Sequence, residues 1–74
     1  MAVEFDYSKL KGRIVEKFGS RSAFASAVTM NPEQLSRRLN NRTPIKGEEV
    51  ILFADVLDIN EADLCSYFFT PKVR

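Results

Sequence analysis

Apolar residues in this chain recur every three or four positions rather than in alternation, which is the period of amphipathic helices. The first stripe is Tyr7, Leu10, Ile14 and Phe18. Asp6 stands where it can cap the helix carrying that stripe, and Phe5 before it can pack on Leu10 as a hydrophobic staple. Gly19 ends the helix, since a left-handed residue after the last turn costs glycine nothing. Gly12, in the middle, costs about 1 kcal/mol relative to Ala, which a close helix crossing would explain.

Ser20 caps a second helix over residues 21–28, with Phe24, Ala25 and Val28 facing inward. Thr29 and Met30 link it tightly to Asn31-Pro32, an Asn cap followed by Pro at the first helical position. The third helix runs to about Asn40 with Leu35 and Leu39 inward, and Asn41-Arg42-Thr43-Pro44 forms a loop. Ile45 and Val50 make a second staple across the start of a fourth helix, residues 47–57. Asn60 caps a fifth, residues 61–69, with Asp63 near its exposed amides and Thr70-Pro71 as its stop. No segment alternates as a strand would, and nothing repeats. The pattern predicts one all-α domain of five short helices spanning residues 1–74.

Composition narrows the classes of function. At 74 residues the chain is near the size at which a core needs outside help, yet 45% apolar residues make a folded core feasible. One Cys and no His allow neither an internal disulfide nor a zinc site, and Cys65 is expected as a small buried hydrophobe. The longest apolar run, residues 50–54, is too short to cross a bilayer, and no signal peptide is expected. Without His, a Gly-rich phosphate loop or paired carboxylates, the chain is expected not to be an enzyme and to need no cofactor, metal or small-molecule ligand.

The net charge of +1 conceals an uneven distribution. Between Lys9 and Lys46, nine basic residues stand against Glu16 and Glu33, a net of +7. From Gly47 to Arg74, six acids stand against Lys72 and Arg74, a net of −4. Glu4 and Asp6 supply the remaining −2. A basic block beside an acidic one suggests an anion-facing surface backed by a different one.

The basic block contains the most informative segment, residues 21–40. Two short helices joined by so tight a turn cross steeply, as in a helix-turn-helix whose second helix enters the DNA major groove. From Ser20 through Leu39 to Asn40-Asn41 the sequence resembles the lambda-repressor-like phage regulators of the Cro and CI type. The opening Phe5-Asp6-Tyr7-Ser8-Lys9-Leu10 and closing Tyr67-Phe68-Phe69-Thr70-Pro71 are similar to small Cro-like proteins of temperate phages of Gram-positive bacteria. The resemblance implies that Arg21 and Ser22 contact phosphate, that Glu33, Gln34 and Arg37 face base edges, and that Asn40, Asn41 and Arg42 track the DNA backbone. Gln pairs with adenine, Arg with guanine, and Glu accepts from cytosine. Arg38 is assigned to phosphate or to covering the helix edge with its stem. Two positions depart from the family pattern: Thr29 stands where Gly is usual, and Pro32-Glu33 opens the recognition helix where a small polar pair suits DNA better.

The fourth helix is apolar nearly all round, and two readings stand. It is central and buried, or Leu52 and Val56 join Phe68 or Phe69 in an exposed patch for a partner. That partner is either a second copy, giving a dimer that reads half-sites roughly 34 Å apart, or the phage's own repressor. The sequence thus leads to a cytoplasmic, sequence-specific regulator in a phage lysis–lysogeny switch, bound to double-stranded operator DNA. The alternative is an antirepressor or modulator that binds the repressor and alters its operator binding.

Overall fold

A computed structural model of the chain describes residues 4–72. Five α-helices follow in order: α1 (Ser8–Phe18), α2 (Arg21–Ala27), α3 (Pro32–Leu39), α4 (Gly47–Val56) and α5 (Leu64–Phe68). A turn of 3-10 helix, Glu61–Asp63, leads into α5. The domain is all-α as the periodicity predicts, and no helix among the described residues is long and apolar enough to cross a membrane.

Caps written in the sequence set the starts of α2 and α3. Ser20 Oγ accepts the Ala23 amide at 3.2 Å, and Asn31 and Gln34 cap each other reciprocally at the start of α3. α1 begins one turn position later than Asp6 suggests, with Tyr7 as its cap residue. The Asp6 carboxylate still accepts from the Ser8 amide at 2.9 Å and its hydroxyl at 2.6 Å, which holds the Asp6 pKa below the usual carboxylate range. Asn60 makes no side-chain cap bond. With nothing holding that end open, the Asp63 amide closes a tighter bond to the Asn60 carbonyl at 2.9 Å, so the expected fifth helix divides into a 3-10 turn and a short α-helix.

The helix ends follow one recurrent device. After α2, α3 and α4 the chain passes through a left-handed residue: Thr29 (φ 60°), Asn41 (φ 61°) and Asp58 (φ 53°). In each case the next residue's amide reaches back five positions, Met30 to Ala25, Arg42 to Arg37 and Ile59 to Ala54, all at 2.8 Å. These are Schellman closures without glycine. Asn and Asp tolerate that backbone, whereas β-branched Thr29 is strained there. The departure noted at Thr29 is therefore accommodated without distorting the turn.

The core draws on every helix. Leu10 and Ile14 of α1, Phe24 and Ala25 of α2, Leu35 and Leu39 of α3, Phe53 of α4 and Phe68 of α5 are all at most 1% exposed. Aromatic rings run through it, Phe18 to Phe24 (5.4 Å), Phe24 to Phe53 (5.0 Å, edge-on) and Phe53 to Phe68 (6.5 Å). α4 is not central. It buries Val50, Phe53 and Ala54 and turns Ile51 and Leu52 to solvent, because 3.6-residue periodicity gives a helix at the edge of a bundle only one inward face.

Two further expectations are corrected. A Cβ placed on Gly12 would meet nothing within 4 Å, so no close crossing requires that glycine. Cys65 is exposed: Leu64 and Phe68, four apart, hold the inward side of α5, and the next positions, Cys65 and Phe69, face out.

The two ends of the chain are fastened together over the core. Asp6 donates its amide to the Thr70 carbonyl (2.8 Å) and Lys72 to the Glu4 carbonyl (2.9 Å), around an isolated antiparallel bridge between Phe5 and Pro71. The Phe5 ring lies on Tyr7 (6.2 Å) and Phe69 (5.9 Å).

Candidate functional site

The helix-turn-helix-like unit consists of α2, the turn 28–31 and α3. Phe24, Ala25, Val28 and Leu35 are buried in the angle between the helices, and half-buried Met30 closes it, as the apolar pattern requires. Of the nine residues nominated for DNA contact, six fall on this unit and Asn40, Asn41 and Arg42 follow directly after α3, and the structure divides them.

Arg21, Ser22 and Arg42 are exposed and have no side-chain hydrogen bond or ion pair among the described residues. The residues on α3 itself are differently placed. Arg37 Nη2 lies 2.7 Å from Glu33 Oε1, one turn away, so the two side chains assigned to base edges bind each other. Gln34 Oε1 accepts the Asn31 amide at 3.1 Å, committing its carbonyl to the helix cap. Asn40 Nδ2 donates to Ser36 Oγ at 3.2 Å.

Arg38 neither reaches outward to phosphate nor merely covers the helix edge. It lies across to α4, where Nε and Nη2 donate to the two oxygens of Glu49, both at 3.0 Å, and Nη1 donates to the Gln34 carbonyl at 3.0 Å. Both partners are only 14% exposed. Burial alone would raise the Glu49 pKa, but the Arg38 hydrogen bonds, the Lys46 amide (2.9 Å) and the neighbouring positive charges hold it below the usual range. Asn41 is also internal: Oδ1 accepts the Phe5 amide and Nδ2 donates to the Phe5 carbonyl, both at 2.9 Å. A side chain assigned to the DNA backbone instead holds the N-terminal segment in place.

The electrostatic consequence is direct. Each arginine of α3 faces a carboxylate, Arg37 on Glu33 and Arg38 on Glu49, so this helix presents little free positive charge. Arg21 and Arg42, on either side of α3, have no ion pair among the described residues.

The apolar patch also divides. Phe68 is 1% exposed and packs on Phe53, so it belongs to the core and not to a surface. Val56 is half-buried against the same core. Leu52 (41% exposed) and Phe69 (48%) remain at the surface but line different clefts. Leu52 borders a cleft of about 450 Å³ between α3 and α4, with Gln34, Arg38 and Glu48. Phe69 lines an apolar one of about 150 Å³ with Phe5, Ile45 and Val50. Ile51, 70% exposed, was not singled out by sequence reasoning. Its signal was the buried set Val50, Phe53 and Ala54, which fixes the opposite face of the helix.

Fold and surface together define a small all-α helix-turn-helix-like domain with an internally neutralised second motif helix. The chain belongs to the family described as protein of unknown function (DUF739), whose model matches residues 2–71. No curated protein matches it. Among solved structures it is similar to the modulator of repression (MOR) of the temperate bacteriophage TP901-1 from Lactococcus lactis, determined in solution. The two are 37% identical over 95% of each chain, with a TM-score of 0.80. The resemblance to regulators of temperate phages of Gram-positive bacteria read from the two termini thus has a structural counterpart.

Proposed function

We propose that this protein is a modulator of repression that acts in a phage lysis–lysogeny switch by binding the phage repressor and altering its operator binding. The observation that carries this reading is the likeness to a modulator of repression at 37% identity over nearly the whole of both chains. The pairing of Arg37 with Glu33 and of Arg38 with Glu49 supports it, because a recognition helix whose arginines are already engaged has little to offer phosphate or guanine. On this reading the chain is a binding protein and not an enzyme, and works in the host cytoplasm.

A second reading, direct Cro-like binding to operator DNA, keeps one specific support. Arg21, Ser22 and Arg42 remain free at the ends of the helix-turn-helix-like unit. Such contacts would add affinity without much sequence information.

Titration of operator DNA carrying the adjacently encoded repressor with increasing amounts of this protein separates the two. The modulator reading predicts a heterocomplex and a changed repressor–operator affinity, with little DNA shift by the protein alone. An unchanged repressor–operator affinity in excess protein refutes it. A salt-sensitive, sequence-specific shift by the protein alone establishes the second reading.

A further inference from the structure

We infer that the outward stripe of α4, formed by Glu48, Ile51, Leu52 and Asp55, is the surface that meets the repressor, and that the repressor presents to it an apolar patch flanked by lysine or arginine. The assignment rests on the modulator reading and specifies where and by what chemistry it operates.

The four residues stand at i, i+3, i+4 and i+7, which aligns them along one face of the helix. All four are exposed, and the two in the middle are large hydrophobics, Ile51 at 70% and Leu52 at 41%. Glu48 and Asp55 close the stripe at its ends, about 10 Å apart along the axis at 1.5 Å per residue. Neither carboxylate has an ion pair or side-chain hydrogen bond among the described residues. On the side toward α3 the stripe continues into the cleft bordered by Leu52, where Arg38 and Glu49 neutralise each other. The uncompensated charge of this surface is therefore negative at both ends of an apolar centre.

That charge order selects the partner. Two copies of α4 packed antiparallel would set Glu48 of each against Asp55 of the other, and packed parallel would set like residue on like. Carboxylate faces carboxylate either way, which opposes self-association through this face. A surface with apolar side chains between two cations about 10 Å apart satisfies both the centre and the ends. Burying Ile51 and Leu52 supplies affinity, while the flanking carboxylates fix register and speed encounter.

The test is a binding titration of the full chain against the purified repressor at low and moderate salt. Wild type is compared with Ile51→Ser, with Glu48→Lys/Asp55→Lys and with Phe69→Ser in the other cleft. Circular dichroism melts check each fold, which the exposure of Ile51, Glu48 and Asp55 should preserve. The expected result is a loss of about ten-fold or more for Ile51→Ser. The double charge reversal should lose affinity most at low salt, and Phe69→Ser should bind as wild type. Wild-type binding that the stripe variants leave unchanged overturns this assignment while the modulator reading stands. Absence of wild-type binding overturns the modulator reading and the assignment together. A wild-type homodimer dispersed by Ile51→Ser overturns it in favour of a second copy.

Discussion

Replacing Glu49 by Gln tests the internal neutralisation on which the functional reading leans. The wild-type carboxylate accepts three hydrogen bonds, two from the Arg38 fork at 3.0 Å and one from the Lys46 amide at 2.9 Å. Glutamine has a single acceptor oxygen, and its NH2 would confront a donor at the other position. At 14% exposure, Arg38 can recover only part of its solvation. Losing one to two charge-assisted bonds, discounted for partial access to water, gives a destabilisation of about 2 kcal/mol. In a domain of this size that lowers the melting midpoint by about 8–16 °C. Urea denaturation at neutral pH measures it as a shift in midpoint at constant slope.

The pH dependence supplies a second readout. Because the folded-state pKa of Glu49 is depressed, its contribution is fully present above the ordinary glutamate value of 4.5 and fades as pH falls through the lower folded value. The gap between wild type and Glu49→Gln should therefore be constant near neutrality and shrink in acid below about 4.5. Equal midpoints at pH 7, or a gap that persists undiminished in acid, would falsify the claim that Arg38 and Glu49 hold one another.

Opposite glycine exchanges should both stabilise. Thr29→Gly relieves a β-branched residue at φ 60° and Gly12→Ala fills open space at an exposed position of α1, each by about 0.5–1 kcal/mol in thermal or chemical unfolding. Asn41→Ala removes both bonds to Phe5 and leaves Ala at φ 61°, a loss of about 2 kcal/mol. Hydrogen exchange should speed at the Phe5 and Asp6 amides first, and unchanged protection there would show that Asn41 does not hold the segment.

How much of this was legible depends on whether a feature is local. Helix positions followed from the spacing of Leu10, Ile14, Phe24, Leu35, Leu39 and Phe53, and from caps such as Ser20 and Asn31, because period and capping act within one or two turns. The roles of polar residues did not follow in the same way. A place on a basic, polar helix assigned Arg38 to phosphate or to the helix edge, and the family resemblance assigned Asn41 to the DNA backbone. Their partners, Glu49 and Phe5, lie 11 and 36 residues away in the chain.

The apolar fourth helix shows the same division. Its composition established that it packs on a core, but Phe68 and Leu52 are equally hydrophobic on paper. Only the angle at which each helix meets the bundle left one at 1% exposure and the other at 41%. The sequence by itself determined an all-α domain, its helix boundaries to within a residue or two for the first four, and a charge divided between two halves. Tertiary structure decided which charges remain free. An ion pair between helices depends on the distance between two side chains, and local sequence contains no measure of that distance. The +7 block is thus less basic along α3 than its count suggests, and the acidic half supplies the carboxylate that neutralises Arg38.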